Sequence, residues 1–227
     1  READDTTLPP LTLAQQTALV QAQLRVLLLI SATDFGLGRQ ADLLMGPRFG
    51  ERPEVLTMEQ TQIRNLQESA YSRGRSRLEG LLARQREAGD VAAEARTLLA
   101  LGDWHQWFDS PQRANERYMQ TWQLLTGAGD TATREQWFGA PVELPANGEF
   151  WPGPGSYREY SSQTIVVARF TVTERGRVVD VQTEALADDE AGVASRLYRR
   201  IRDLRFRPQF AGGEPLAVTV ERRYRAD

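Results

Sequence analysis

Ile165 to Glu184 reads IVVARFTVTERGRVVDVQTE, and its period decides the kind of fold the chain adopts. In its first half Val166, Ala168, Phe170 and Val172 occupy every second position. Strand side chains alternate between faces, so this set lines one side of a β-strand. In its second half Val179 and Val181 alternate with Val178, Asp180, Gln182 and Glu184, which predicts a second strand. Glu174-Arg175-Gly176 between them predicts a tight hairpin, with glycine available for positive φ.

Downstream, Asp188-Asp189-Glu190 opens a helix, where acids complement the unpaired N–H groups of the first turn. Val193, Ala194, Leu197, Tyr198, Ile201 and Leu204 form its apolar stripe. Phe206 turns into the core, Pro208 limits pairing, and Gly212-Gly213 reverses the chain. Leu216, Val218, Val220 and Tyr224 alternate in a last strand.

Upstream the period changes to that of helices. Leu13, Thr17, Val20, Leu24, Leu27 and Leu28 recur at three- and four-residue spacing, and Gly36 and Gly38 stop that helix. GPRFGERP, Gly46 to Pro53, is a loop. Ile63, Leu66, Ala70 and Tyr71 give one helical stripe; Leu78, Leu81 and Leu82 give another beyond Gly74. Val91 to Phe108 and Pro111 to Leu125 form a helical pair. The loop chemistry of GAGD, GAPVELPANG and WPGPG fills 127–163. The expected organisation is α+β in two domains. Residues 1–126 are all-α helical hairpins, 127–163 a Pro/Gly-rich linker, and 164–227 a small antiparallel sheet packed by one helix.

Composition narrows the chemistry. The 227 residues contain no cysteine, which excludes a thiolate nucleophile and Cys-ligated zinc. All 28 basic residues are arginine, which excludes Walker and Schiff-base lysines. The net charge of −3 argues against a nucleic-acid partner. The single histidine, His105, lies between Trp104 and Trp107 on a packed helix and reads as a hydrogen-bonded core residue. No run approaches the ~20 apolar residues that span a bilayer. The first residue, Arg1, reads as the start of a mature or trimmed chain with its targeting segment upstream. These features predict no enzyme activity, no catalytic residues, no metal and no cofactor.

Two resemblances extend the reading. Leu101-Gly102, then Ala114, then Tyr118 resembles the close-approach and packing positions of a tetratricopeptide repeat, and AYSRGR (Ala70 to Arg75) resembles a second, poorer copy. His105 and Thr121 depart from that pattern. VVARFTVTERGRVVDV, LYRRIRDLRFRP and GGEPLAVTVERRY together resemble the C-terminal domain of TonB-type energy transducers, over about Thr164 to Arg225. The resemblance implies a periplasmic setting and a sheet edge that takes a partner segment as an added strand.

Three sets of binding residues emerge. The sheet edge is the last strand, with Ala217, Thr219, Glu221 and Arg223 outward. Its competitors for that edge are the helical half and a second copy of the chain, a homodimer. The helical groove offers Trp104, Trp107, Tyr118 and Trp122 as anchors, about half of them core. Arg199, Arg202, Arg205 and Arg207 form an alternative site for an anionic polymer or lipid. Arg205 and Arg207 are expected to be free of structural duties. The expected function is a non-enzymatic protein-binding adaptor of the cell envelope, with an outer-membrane or other envelope protein as partner. Part of an energy transducer in transport is the alternative.

Overall fold

The computed structural model describes residues 11–32, 53–144, 165–185, 198 and 200–225. The chain is α+β, with helices first and small antiparallel sheets after them. Among the described residues, five helices precede the sheets: α1 (Leu13–Ala32), α2 (Pro53–Glu87), α3 (Val91–Trp107), α4 (Pro111–Gly127) and α5 (Thr131–Phe138). The strands are β1 (Val142–Glu143), β2 (Ile165–Val172), β3 (Val178–Ala185), β4 (Phe206–Arg207), β5 (Gln209–Ala211), β6 (Glu214–Leu216) and β7 (Val218–Arg225). No helix among the described residues is long and apolar enough to cross a membrane.

One turn device builds the helical region. The connectors at 88–90, 108–110 and 128–130 each hold their middle residue at positive φ: Gly89 at 66°, Asp109 at 60° and Gly129 at 69°. The residue after each donates its N–H back over the helix end, Asp90 to Gln85 O, Ser110 to His105 O and Asp130 to Leu125 O. These bonds satisfy carbonyls that a helix end leaves open. Asp90 and Asp130 then cap the next helix by accepting from Ala93 N and Thr133 N. The unit recurs as Ala-Gly-Asp at 88–90 and 128–130. It reverses the chain within three residues, so successive helices run antiparallel.

Helix α2 runs unbroken past Gly74, where the sequence suggests two separate stripes. Gly74 is there for packing. A Cβ on it would lie 2.1 Å from the Trp104 ring. Gly102 serves the same purpose in α3, where a Cβ would lie 2.3 Å from the Tyr118 ring. The expected close-approach role of Gly102 and Ala114 agrees with this geometry, Ala114 being fully buried. Leu78, Leu82, Leu98, Leu101 and Trp104 form the core of α2 and α3, joined by Leu27 of α1.

The stretch 127–163 is only partly a connector. It begins with the end of α4, then α5 and β1, and residues 145–164 lie outside the described set. Strand β1 pairs with β4, Glu143 opposite Phe206. The three-stranded sheet has the order β3-β2-β7 and is antiparallel. Ala168, Phe170 and Val172 of β2 are buried with Ile201, Leu204 and Phe206. Residues 200–203 are helical, and Tyr198 is exposed although the stripe places it inward. The rest of that stripe lies outside the described residues.

Strand β3 departs from simple alternation. Val178 is buried, Val179 is exposed, and Val181 packs on the core. The cause is a bulge: Asp180 and Val181 together oppose Phe170, and Asp180 adopts φ 53°. One extra residue flips the facing of the strand beyond it.

Candidate functional site

Strand β7 is the most open element of the sheet. Its eight residues pair with β2 without a break in register, from Val218↔Val172 to Arg225↔Ile165. Among the described residues nothing pairs with its other side. Ala217, Thr219, Glu221 and Arg223 are exposed, as the alternation predicts, while Val218, Val220, Arg222 and Tyr224 are half-buried. The opposite edge, β3, is interrupted by its bulge. A regular edge presents N–H and C=O groups at strand spacing, and a bulged one does not.

The inner face of β7 is fixed from below. Glu143 accepts from Arg222 Nη1 at 3.0 Å and from the Tyr224 hydroxyl at 3.1 Å. Arg222 Nη2 also donates to Pro141 O at 2.9 Å. Burial, with Glu143 beside it, pushes the Tyr224 hydroxyl well above its ordinary pKa. Both side chains are therefore tied to the same carboxylate, Glu143 of β1.

The arginine set does not assemble. Arg207 is 7% exposed and belongs to a part-buried ion pair, so the expectation that it is free is corrected. Its Nε and Nη2 donate to Asp103 Oδ1 and Oδ2 at 3.0 and 2.7 Å, and Nη1 donates to Trp137 O at 3.1 Å. Burial alone lowers the guanidinium pKa, but the Asp103 carboxylate more than offsets it, and the net shift is upward. Arg205 is half-buried and donates to Asp203 O. Arg202 is exposed, and Arg199 lies outside the described residues.

The helical aromatics divide. Trp104 is buried and donates its indole N–H to Tyr71 O at 3.0 Å. Tyr118 is fully buried, and its hydroxyl donates to Asp103 Oδ1 at 2.9 Å. Neither is available to a groove, because each fills the space that Gly74 or Gly102 leaves open. Trp107 is half-buried. Trp122 stacks on Phe210, carries Arg134 over its ring, and borders a cleft of about 300 Å³ with Met119, Gly212 and Glu214.

His105 is 2% exposed, with Nδ1 2.9 Å from the Tyr71 hydroxyl. That hydroxyl accepts from Arg113 Nη1 at 3.0 Å, which leaves its own proton for His105. Burial first, then Arg117, Arg113 and Arg75, hold its pKa down to about 4. A neutral imidazole inside this cage reaches no open surface. No cluster of three or more potential metal-ligating side chains occurs among the described residues.

Sequence reasoning missed the polar junction between the halves. Gln106 and Asn115 donate to the carbonyls of Arg175 and Glu174 at the β2–β3 hairpin, at 2.7 and 3.0 Å. Asp109 pairs with Arg177. Phe210 of β5 enters the cluster of Tyr118, Leu125 and Phe138. The available signals were Asp103 and Gln106, polar residues within the helical stretch TLLALGDWHQWF.

Comparison with protein-family models, curated proteins and solved structures finds no match to the chain.

Proposed function

We propose that the chain is a non-enzymatic protein-binding adaptor that takes an extended partner segment as an added strand along β7. The observation that carries this reading is the contrast between the two edges of the sheet. β7 offers eight residues in unbroken register, whereas β3 is kinked at Asp180. Main-chain bonds along such an edge supply affinity, and pockets for alternate side chains supply selectivity. The resemblance of Thr164 to Arg225 to TonB-type C-terminal domains supports the reading. It implies a periplasmic setting, with an envelope or outer-membrane protein as partner. The helical half, similar to tetratricopeptide hairpins, then acts as the platform that holds the sheet. Service within an energy transducer is the second reading, favoured by the same resemblance.

A random nine-residue peptide library displayed on phage, panned against the whole chain, tests this. Selected peptides are expected to slow hydrogen exchange at the amides of 218–225. Protection confined to the helices, or no enrichment, would sink the proposal. A dimer in which the same amides are protected without peptide would instead assign the edge to a second copy of the chain.

A further inference from the structure

On the strand-addition reading of β7, the side chains of that edge also specify what the partner carries. Thr219, Glu221 and Arg223 are exposed at every second position, so all three share one face of the sheet. Each therefore faces a residue of any strand added alongside. On the side already filled, Thr219 meets Thr171, and their hydroxyls bond at 3.1 Å. Glu221 meets Arg169, and Arg223 meets Val167. Among the described residues, neither Glu221 nor Arg223 belongs to an ion pair. The open edge thus presents a hydroxyl, an acid and a base in order. The other face of β7 differs. Arg222 is already held by Glu143 and Pro141 O. Val220 and Tyr224 pack on the sheet core. Partner residues opposite those two extend an apolar face, and the one opposite Arg222 meets a cation that already has its counter-charge.

We infer that β7 recognises an extended protein segment running antiparallel to it, with an acid opposite Arg223, a base opposite Glu221 and Ser or Thr opposite Thr219. Read from its N-terminus, the segment carries acid, spacer, base, spacer, hydroxyl residue. The direction follows from the sheet, whose pairings are antiparallel, the more stable ladder per residue. The charges fix register as well as identity. A slip of two residues sets the partner's base against Arg223 or its acid against Glu221, and like charges directly opposite are destabilising. A second copy of β7 meets these demands only in part. Centred on Arg222, it sets each Glu221 against the other copy's Arg223, but it also sets Arg222 against Arg222.

Two end-capped peptides of identical composition are the probes. Val-Glu-Thr-Lys-Val-Thr-Val carries the inferred order, and Val-Lys-Thr-Glu-Val-Thr-Val reverses its charges. Each is titrated into the ¹⁵N-labelled full chain, and hydrogen-exchange protection of the 218–225 amides is followed by NMR. The first is expected to bind at least about threefold more tightly, because the second must set like charges opposite or adopt the less stable parallel ladder. The difference should narrow in about 1 M salt, where exposed charges are screened. Exchanging the two charges of the edge, Glu221→Arg with Arg223→Glu, should invert the preference. Equal protection by both peptides, or a preference that the exchange leaves unchanged, would overturn the charge order and leave strand addition standing. Protection by neither peptide up to about 10 mM would overturn strand addition as well. A dimer that protects the same amides without peptide would give the edge to a second copy and overturn the partner inferred here.

Discussion

Arg207 sets two guanidinium nitrogens against both carboxylate oxygens of Asp103, across 104 residues of sequence. The Tyr118 hydroxyl closes on the same carboxylate, and Trp137 O takes the third guanidinium nitrogen. Removing one partner strands the other in a poorly solvated site. Arg207→Gln is therefore expected to destabilise the chain by about 2–4 kcal/mol, toward the lower end because Asp103 retains some solvent. Asp103→Asn should cost a similar amount. The double substitution should cost clearly less than the sum, as read by urea denaturation in a double-mutant cycle.

Glycine substitutions within α2 and α3 should split by packing. Gly74→Ala and Gly102→Ala drive a methyl into the Trp104 and Tyr118 rings and should each cost roughly 1–3 kcal/mol. Gly80→Ala in α2 meets nothing within 4 Å. It should gain about 0.5–1 kcal/mol from helix propensity alone. Thermal melts of the three variants check the sign of each.

His105 makes stability depend on acid. Its folded-state pKa, about 4, lies below its ordinary value of 6.5, so the fold binds the neutral ring. Its stabilising share is complete above pH 6.5. It declines as pH falls from 6.5 toward 4, because the unfolded chain takes up the proton and the folded chain does not. Denaturation midpoints measured through this window should fall more steeply for the parent than for His105→Gln. Parallel profiles would show that the ring is not excluded from protonation in the fold.

Asp180 holds φ 53° at the β3 bulge and is exposed. Glycine adopts that conformation without a Cβ penalty. Asp180→Gly is expected to raise stability by roughly 0.5–1 kcal/mol. A loss would mean that the carboxylate contributes more than the backbone strain removes.

Local signals made much of the fold readable. The boundaries of α3 and α4 follow from Gly89-Asp90, Ser110-Pro111 and the apolar stripes, because caps act within a few residues. The outward set Ala217, Thr219, Glu221 and Arg223 follows from strand period, which is also local. The features that escaped depend on partners distant in sequence. Gly74 looks like a helix breaker until Trp104 is placed against it. Arg207 looks like a surface charge until Asp103 is brought to it. Val179 faces outward only because Asp180 adds a residue to the strand, and no periodicity announces that. Ala-Gly-Asp at 88–90 recurs at 128–130, and its role in reversing the helices came only with the positive φ of Gly89 and Gly129 and the bonds across each helix end.

Phe210 inserted among Tyr118, Leu125 and Phe138 has a consequence for synthesis on the ribosome. The helical half emerges first, yet its last core cluster lacks a ring until residue 210 clears the exit tunnel. Until then Tyr118, Phe138 and the Asp103 carboxylate border an unfilled seam. A nascent chain stalled before β5 is therefore expected to present that seam to chaperones.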